Sequence, residues 1–266
     1  MGNKIAVIGG GNLGSAIAEG LLTSEFCLAD DLIITKRNTD SLRHLADKGV
    51  KVTSDNRLAV NSSKYIILAV KPFQVQEILS GLKDILDPEK HIVISVITGI
   101  WIKDLKEMLS DRFPLFRAMP NTAIAIGESM TCICCENAPE PEQLYVDVLF
   151  SKLGKTVFID EELMDAATVL GACGTAFAMR YIRANIQGGI EIGFSSQTAA
   201  LIAAQTIKGA ADLLLQRSSH PEQEIDKVTT PKGCTIAGLN EMEHQGFSSS
   251  LIRGLITSYK KIKEDM

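Results

Sequence analysis

The sequence predicts an α/β fold, with an N-terminal Rossmann dinucleotide-binding domain at residues 1–160 and an all-helical dimerisation domain at residues 161–266. Short apolar runs alternate with helical patterns in the first part, and a glycine-rich turn follows the first run directly. Almost no strand pattern occurs beyond Asp160. The 266 residues are 45% hydrophobic, which suffices for two modest domains with buried cores.

Runs rich in Ile and Val predict the strands of the first domain, and apolar residues at helical spacing predict its helices. We expect strands at Lys4–Ile8, Leu32–Thr35, Tyr65–Val70, Ile92–Val96, Leu115–Ala118, Met130–Cys134 and Thr156–Ile159. We expect helices at Leu13–Thr23, Ser41–Lys48, Phe73–Leu86, Ile102–Leu109 and Glu140–Leu153. This alternation predicts a parallel sheet that is covered by helices on both faces.

Helical periodicity dominates the second domain. Helices are expected at Leu163–Glu191, Ser196–Leu215, Thr235–His244 and Ser248–Ile262, with a polar break at Arg217–Glu224. The stretch from Ala199 to Leu215 is apolar on more than one face. Such a helix needs cover that a small domain cannot supply, so we expect a homodimer through this domain.

Composition excludes several classes of protein. The net charge is -5 and no basic block occurs, so we expect no nucleic-acid partner. The N-terminal apolar run is too short for a signal peptide. The stretch Thr198–Leu215 is interrupted by Gln205, Lys208 and Asp212, so we expect no membrane span and a cytoplasmic protein.

The six cysteines give little functional signal. Cys132, Cys134 and Cys135 are close in sequence, but no second cluster or nearby histidine completes a metal shell. Their segment is typical of a buried strand. We therefore expect no metal, and no disulfides in a reducing cytoplasm.

The turn after the first strand carries the strongest single motif. In Gly9-Gly10-Gly11-Asn12-Leu13-Gly14, the glycines stand between a strand and a helix, as in dinucleotide-binding sites. Gly9 would make the turn, Gly11 would admit the pyrophosphate, and Gly14 would let the helix pack on the strand. Amides at Asn12 and Leu13 would face the phosphates. The alternative is a tight turn with no ligand.

The end of the second strand indicates which nucleotide binds. NAD sites usually carry a carboxylate there, whereas this chain has Thr35, Lys36 and Arg37. The two cations would attract a 2′-phosphate, so we expect NADPH, with NADH as the less favoured cofactor. The alternative is a solvated basic turn.

Two more segments are expected to contact the cofactor. Ala69, Val70, Lys71 and Pro72 end a strand at the carboxyl edge of the sheet, where ligands bind in such folds. Asn56 opens a short helix near the adenosine side, where its amide could instead cap that helix. For Lys71 the alternative is an ordinary surface lysine.

The second domain contains a loop suited to a carboxylate. Thr229 and Thr230 precede Gly233, Cys234 and Thr235 at the start of a helix. Hydroxyls and free amides converge at such a position. The alternative is a plain capped helix start.

The loop and three other segments together resemble the pyrroline-5-carboxylate reductase family. Val228–Thr235 is similar to the family's Val-Thr-Ser-Pro-Gly-Gly-Thr-Thr, and Arg117–Thr122 to its Arg-Xaa-Met-Pro-Asn-Thr. Ala69–Pro72 matches Ala-Val-Lys-Pro, and Asp165–Leu170 resembles Asp-Ala-Val-Thr-Ala-Leu. These segments run in order over nearly the whole chain.

The resemblance implies NADPH-dependent reduction of 1-pyrroline-5-carboxylate to L-proline, the last step of proline biosynthesis. It implies a helical domain that dimerises, with larger rings of dimers also occurring in the family. By position, Thr230, Gly233, Cys234 and Thr235 would surround the substrate carboxylate, and Asn121 would lie by the nicotinamide. Thr230 and Thr235 would orient the substrate, and no acid–base residue is assigned.

Several residues depart from the family pattern. Gly-Ser-Gly-Pro-Ala-Tyr is replaced by Ala172–Phe177, which lacks the proline and the tyrosine hydroxyl. Lys232 replaces a glycine, Cys234 a small or hydroxyl residue, and Arg180 stands where many members have a small or hydroxyl residue. Lys232 or Arg180 would add positive charge for a carboxylate, or would be solvated.

Two other functions are compatible with parts of the sequence. An NADP-dependent hydroxyacid dehydrogenase has a related architecture but generally needs a helical lysine after a glycine-rich turn. Here no lysine follows Gly171–Gly174 until Lys208. A non-catalytic NADPH-sensing protein is the other alternative, motivated by the departures at Thr175, Phe177 and Lys232.

Overall fold

The computed structural model describes residues 3–264. Its strands form one eight-stranded sheet in the order β3-β2-β1-β4-β5-β6-β7-β8. The strands are β1 (Ile5–Ile8), β2 (Leu32–Thr35), β3 (Lys51–Thr53), β4 (Tyr65–Leu68), β5 (Ile92–Ser95), β6 (Leu115–Met119), β7 (Ser129–Glu136) and β8 (Gly154–Phe158). The expected α/β fold is confirmed. The parallel arrangement is broken once, because β7 runs antiparallel to β6.

Twelve α-helical segments lie within the described residues. They are α1 (Asn12–Thr23), α2 (Arg43–Ala46), α3 (Asn56–Asn61), α4 (Val75–Ser80), α5 (Ile102–Met108), α6 (Glu140–Ser151), α7 (Met164–Ala167), α8 (Gly174–Glu191), α9 (Ser196–Arg217), α10 (Pro221–Val228), α11 (Cys234–His244) and α12 (Phe247–Glu264). Short 3₁₀ turns occur between them, and a π-helical segment, Thr168–Cys173, lies between α7 and α8.

The core of the sheet follows from the strand sequences. In β1 all four residues are fully buried, because alternate side chains enter different apolar layers. Ile5 and Val7 pack into one layer with α1 and α6, whereas Ala6 and Ile8 pack into the other. The neighbouring strands β2, β4 and β5 are buried in the same way. The continuous apolar runs were therefore a correct signal for central parallel strands.

Where the sequence prediction failed in this half, the elements are short. β3 was not predicted, since its three residues form an edge strand that is only partly buried. The helix expected at Phe73–Leu86 narrows to α4, preceded by a 3₁₀ turn that leaves Phe73 82% exposed. The helix expected at Ser41–Lys48 is a 3₁₀ turn followed by the four residues of α2.

The chain divides into two compact units: one holds residues up to Ala172 with the end of α12, and the other holds Cys173–Lys261. The second unit is helical, as predicted. Helices α8 and α9 pack closely where Gly189 faces Ala199. A Cβ added at Gly189 would lie only 3.0 Å from the Cβ of Ala199. The predicted domain boundary at Asp160 stays a prediction.

Two expectations for the helical half were wrong. Residues 217–224 do not form a simple break, because α10 begins at Pro221, with the His220 side chain accepting from the Glu222 amide at 3.2 Å. Proline fits the first turn of a helix, where its missing N–H costs nothing. The helix expected at Leu163–Glu191 is likewise divided into α7, the π segment and α8. The departures at Cys173 and Thr175 lie at the junction of the π segment with α8.

Helix α9 begins at Ser196, as predicted, and its composition bears on the expectation of no membrane span. It has 22 residues, and an 18-residue window within it has a mean hydropathy of 1.2, so by length and composition alone it could cross a membrane. One such helix is weak evidence, since helices that pack against other protein chains have the same composition. Leu201 and Leu215 of α9 are 71% and 72% exposed, and among residues 173–261 the buried side chains are Ala199 and Ala203 alone. The unit thus exposes apolar surface on more than one side of α9.

The buried His91 makes the stability of the fold depend on pH. Its side chain is 1% exposed, and its Nδ1 accepts a hydrogen bond from the Asp87 amide at 2.9 Å. Burial lowers the pKa of His91 below its usual range. The unfolded chain therefore binds the proton more readily, and the folded state loses stability as the pH falls through about 6.5, the ordinary histidine value.

We predict that lowering the pH from 7.5 to 5.5 reduces the free energy of unfolding, with His91 contributing at most about 1.4 kcal/mol per pH unit. Urea denaturation at both pH values measures it. The His91→Gln variant is expected to show a shallower pH dependence, because glutamine does not titrate. Parallel dependences in the two proteins would contradict the assignment.

Candidate functional site

A groove with a volume of about 1170 Å³ runs along the carboxyl edge of the sheet in the first unit. Ligands bind at this edge in doubly wound folds. The groove brings together most of the residues predicted to bind the cofactor. They are Gly9, Gly11, Asn12, Leu13, Thr35, Lys36, Arg37, Asn56, Ala69, Val70, Lys71 and Pro72.

The glycine-rich loop at the end of β1 has the geometry that a dinucleotide requires. Gly9 has a φ of +111°, and a Cβ there would lie 2.5 Å from the Ala69 carbonyl oxygen. A Cβ at Gly14 would lie 2.1 Å from the Gly9 carbonyl oxygen, so Gly14 lies behind the loop and lets α1 approach the sheet. A Cβ at Gly11 would meet nothing within 4 Å. The loop is therefore tightly packed at Gly9 and Gly14 and has open space at Gly11.

The N-terminus of α1 is available to an anion. Its N-cap residue, Gly11, offers no side-chain hydrogen bond, and its first turn contains no acidic residue. The first amides of a helix point outward with a partial positive charge, which favours phosphate groups. These residues fit a pyrophosphate.

The end of β2 supports the loop from the other side. Thr35 is 2% exposed, and its carbonyl oxygen accepts hydrogen bonds from the amides of Gly9 at 3.2 Å and Gly10 at 2.6 Å. Its hydroxyl lies 3.3 Å from the Gly9 amide and accepts from it. Thr35 is thus bonded to the loop.

The basic turn lies immediately after Thr35. The Lys36 ammonium donates to the Ser41 hydroxyl at 2.7 Å, while Arg37 is exposed. Sequence reasoning missed a further cation that lines the groove, Arg57. It pairs with both carboxylate oxygens of Asp84 at 2.6 Å. The hydrogen bonds raise the pKa of Arg57 and lower that of Asp84.

The capping role considered for Asn56 was wrong. Asp55 is the N-cap residue of α3, and its carboxylate accepts from the amides of Arg57 at 2.8 Å and Leu58 at 3.1 Å. Asn56 lines the groove one residue later. Its amide is therefore not needed to cap α3, and its role toward a ribose stays a prediction.

The sequence analysis also missed Val96, Ile97 and Thr98, which line the groove just after β5. The signal was present, because these residues stand at the carboxyl end of a parallel strand as Ala69–Pro72 do. Gly99 follows with a φ of +78° and turns the chain away.

Asn121 lies outside the residues that line the groove. Its side-chain oxygen accepts from the Ala123 amide at 3.0 Å, and its side-chain nitrogen donates to the Gly171 carbonyl at 3.3 Å. Both the oxygen and the nitrogen of the side-chain amide are thus hydrogen-bonded within the protein, the nitrogen to the π segment. Contact with the nicotinamide stays a prediction from the resemblance.

Arg117, four residues before Asn121, holds the preceding strand in place. Its side chain is 3% exposed and donates to the Glu161 carboxylate at 2.8 Å. The same carboxylate oxygen accepts from the Ile102 amide at 2.7 Å, at the start of α5. The guanidinium lies 5.2 Å from the centre of the Trp101 ring. A buried charge thereby finds a counter-charge, which burial requires.

The cysteines of β7 behave as apolar core residues. Burial raises the pKa of Cys132 and Cys135, and it raises the pKa of Cys134 to about 12. Protonated thiols are poor nucleophiles and poor metal ligands. The prediction of a buried strand at this segment is confirmed.

The loop predicted to bind a carboxylate lies in the second unit, between α10 and α11. It closes through the Gly233 amide, which donates to the Thr230 carbonyl at 2.9 Å. A Cβ at Gly233 would lie 2.6 Å from the Thr230 hydroxyl oxygen, and Lys232 adopts a φ of +60°. The Thr229 hydroxyl donates a hydrogen bond to the Asp226 carbonyl, three residues earlier, at 3.1 Å.

Helix α11 begins at Cys234, one residue before the expected Thr235, and its N-cap residue Gly233 supplies no side-chain hydrogen bond. Its first turn contains no acidic residue. The free amides at the start of α11 therefore follow Thr230 closely in the chain and include that of Thr235, an arrangement that suits a carboxylate.

Comparison with known proteins decides the family. A family model described as pyrroline-5-carboxylate reductase dimerisation matches residues 161–265, and one described as NADP oxidoreductase coenzyme F420-dependent matches residues 4–99. Pyrroline-5-carboxylate reductase 2 of Dictyostelium discoideum is 43% identical, over 97% of this chain and 91% of its own length. The chain belongs to the pyrroline-5-carboxylate reductase family.

Other members of the pyrroline-5-carboxylate reductase family extend the comparison. Pyrroline-5-carboxylate reductase 1 of Dictyostelium discoideum is 46% identical over 97% of this chain, and the chain spans about half, 49%, of that relative. The crystal structure of Plasmodium falciparum pyrroline carboxylate reductase with NADP bound has a TM-score of 0.89 and 25% identity, covering 99% of this chain and 98% of that one. The resemblance drawn from the four sequence segments is confirmed.

Proposed function

We propose that this chain reduces 1-pyrroline-5-carboxylate to L-proline with NADPH, as the last step of proline biosynthesis in the cytoplasm. The observation that carries the proposal is the glycine-lined groove, open at Gly11 and backed by Thr35, in a member of this reductase family. Two relatives that this chain matches over nearly their whole length are named pyrroline-5-carboxylate reductases. A spectrophotometric assay with both compounds tests the proposal, and NADPH binding without turnover would favour a sensing protein instead.

The chemistry asks little of the protein beyond binding and orientation. A nicotinamide cofactor held at the loop of Gly9, Gly11 and Gly14 would supply the hydride that the protonated imine accepts at carbon, giving a secondary amine. The imine is readily protonated in water, so the protein need not provide a strong acid. The contribution of the chain is to hold the reacting atoms together and to orient the ring. This agrees with a site that is built from amides and hydroxyls.

Cofactor choice rests on the turn after β2. Lys36 and Arg37 stand where an NAD site would carry a carboxylate, and Arg57 lines the same groove. Arg57 is already neutralised by Asp84, and Lys36 donates to Ser41. Arg37 is therefore the cation best able to pair with a 2′-phosphate.

Substrate orientation is assigned to the loop from Thr229 to Thr235. We infer that the Thr230 and Thr235 hydroxyls and the amides of Gly233, Cys234 and Thr235 bind the carboxylate. The exposed Lys232 adds positive charge to the same loop.

Oligomerisation rests on the second unit. The match to a dimerisation family begins at Glu161, and residues 173–261 bury few apolar side chains of their own. We infer a homodimer that buries the exposed face of α9, and rings of dimers remain compatible with the family. Cover by a second protein chain fits this apolar helix better than a membrane does, because α9 carries Lys208 paired with Asp212 at 2.7 Å.

We predict a higher kcat/KM with NADPH than with NADH. Arg37→Asp should lower kcat/KM for NADPH by about tenfold or more and change that for NADH much less, since a charge-assisted contact contributes about 1.5–3 kcal/mol. Steady-state assays with both cofactors measure this. Equal efficiency of the unaltered protein with NADH would contradict the role of the basic turn.

We predict that Thr235→Val raises KM for the imine by roughly tenfold while the KM for NADPH stays the same, because valine keeps the shape and removes the donor. The matched control is Thr23→Val, an exposed threonine at the end of α1. If Thr235 only stabilises α11, the variant would melt earlier with normal imine kinetics, and the carboxylate assignment would fail.

We predict that Leu201→Lys weakens the dimer and lowers activity at low protein concentration, because an ammonium group would enter the apolar interface. Light scattering across a dilution series measures this. Leu144→Lys is a matched control, since Leu144 of α6 is 63% exposed in the first unit. A stable and active monomer of the unaltered protein at micromolar concentration would refute the obligate dimer.

A further inference from the structure

We propose that Thr35 is a positioning residue: its hydroxyl fixes the glycine-rich loop and so supports NADPH and NADH equally, leaving selection of the 2′-phosphate to the turn that follows. This inference rests on the proposed function, because it assigns a role within the same cofactor groove. It differs from the expectation that Thr35 contacts the nucleotide directly.

Thr35 is hydrogen-bonded to the glycine-rich loop through both its backbone and its side chain. Three interactions join it to the loop: two carbonyl bonds, from the Gly9 amide at 3.2 Å and the Gly10 amide at 2.6 Å, and the hydroxyl contact with the Gly9 amide at 3.3 Å. With 2% of Thr35 exposed, its hydroxyl has little access to water. A buried hydroxyl needs a partner, and the partner here is the loop.

Gly9 is held from a second side as well. Its missing side chain leaves the Ala69 carbonyl oxygen only 2.5 Å from where a Cβ would be, and the Ala69 amide donates to the Ile8 carbonyl at 2.8 Å. The loop is therefore wedged between the ends of β2 and β4. Because Gly11 and the free amides of α1 follow directly, a shift at Gly9 would move the groups that face the pyrophosphate.

A hydroxyl suits this buried position better than a carboxylate would. It accepts from the Gly9 amide without bringing an unpaired negative charge into a buried site. It also leaves Lys36 and Arg37, the next two residues, free of a neighbouring acid. The pyrophosphate is common to both nicotinamide nucleotides, so a defect in the loop should affect both.

The experiment measures dissociation constants of NADPH and NADH by nucleotide fluorescence on the full chain, without imine. Thr35→Val removes the acceptor at nearly constant shape, and Thr35→Ser keeps it. Losing one such hydrogen bond weakens binding by about three- to tenfold, and we expect this factor for both nucleotides. Thr35→Ser should bind within about twofold of the unaltered chain. Thr35→Ala, a smaller side chain, repeats the measurement if valine prevents folding.

Arg37→Asp is the contrasting variant, expected to weaken NADPH far more than NADH. Loss of NADPH binding alone in Thr35→Val would overturn the inference in favour of direct contact with the phosphate. A lower melting temperature with both dissociation constants unchanged would overturn it in favour of a purely structural role, as would equal defects in Thr35→Val and Thr35→Ser. Failure of the unaltered chain to bind either nucleotide would overturn it together with the groove. Tight binding without imine turnover removes only the proposed reaction and leaves these comparisons valid.

Discussion

The close approach of α1 to the carboxyl ends of β1 and β4 is the constraint on which the groove depends. A Cβ at Gly14 would lie 2.1 Å from the Gly9 carbonyl oxygen, and a Cβ at Gly9 would lie 2.5 Å from that of Ala69. Only glycine satisfies both contacts, and at Gly9 the φ of +111° demands glycine again. Because the helix is held this close, its free amides stand at the sheet edge between the ends of β2 and β4. The cofactor groove is a consequence of that packing.

A second constraint governs the helical unit. The first unit fills two apolar layers, one on each side of the sheet, whereas residues 173–261 bury Ala199 and Ala203 alone. About 90 residues with so little internal burial cannot offset the entropy of folding, which amounts to about 1–2 kcal/mol per residue for the backbone. The apolar side chains of α9 must therefore be covered by something outside this chain. A second copy is the cover that we propose, in agreement with the match of this half to a dimerisation family.

The sequence predicted those features that repeat or that have a steric cause. The central strands followed from continuous Ile and Val runs, and the nucleotide loop followed from the spacing of Gly9, Gly11 and Gly14. Short elements escaped, because three residues of β3 are too few to establish a period. The start of α10 was visible in His220-Pro221, but the polar composition around it favoured a break. The role of Arg57 could not be predicted, since Asp84 lies 27 residues away and only the fold brings them together.

The two candidate anion sites share one physical device. Among the longer helices, α1 and α11 each begin after a glycine that gives no side-chain cap and have no acid in their first turn. Two other long helices start differently: Ser195 caps α9, and Glu140 and Glu142 stand in the first turn of α6. A helix start without a cap or an acid retains its full attraction for an anion, which can replace the water bonded to its free amides. One such start faces the groove at Gly11, and the other follows Thr230 in the second unit. The pyrophosphate of a dinucleotide at the first start and the carboxylate of the imine at the second would satisfy both sets of amides, which is the assignment that we propose.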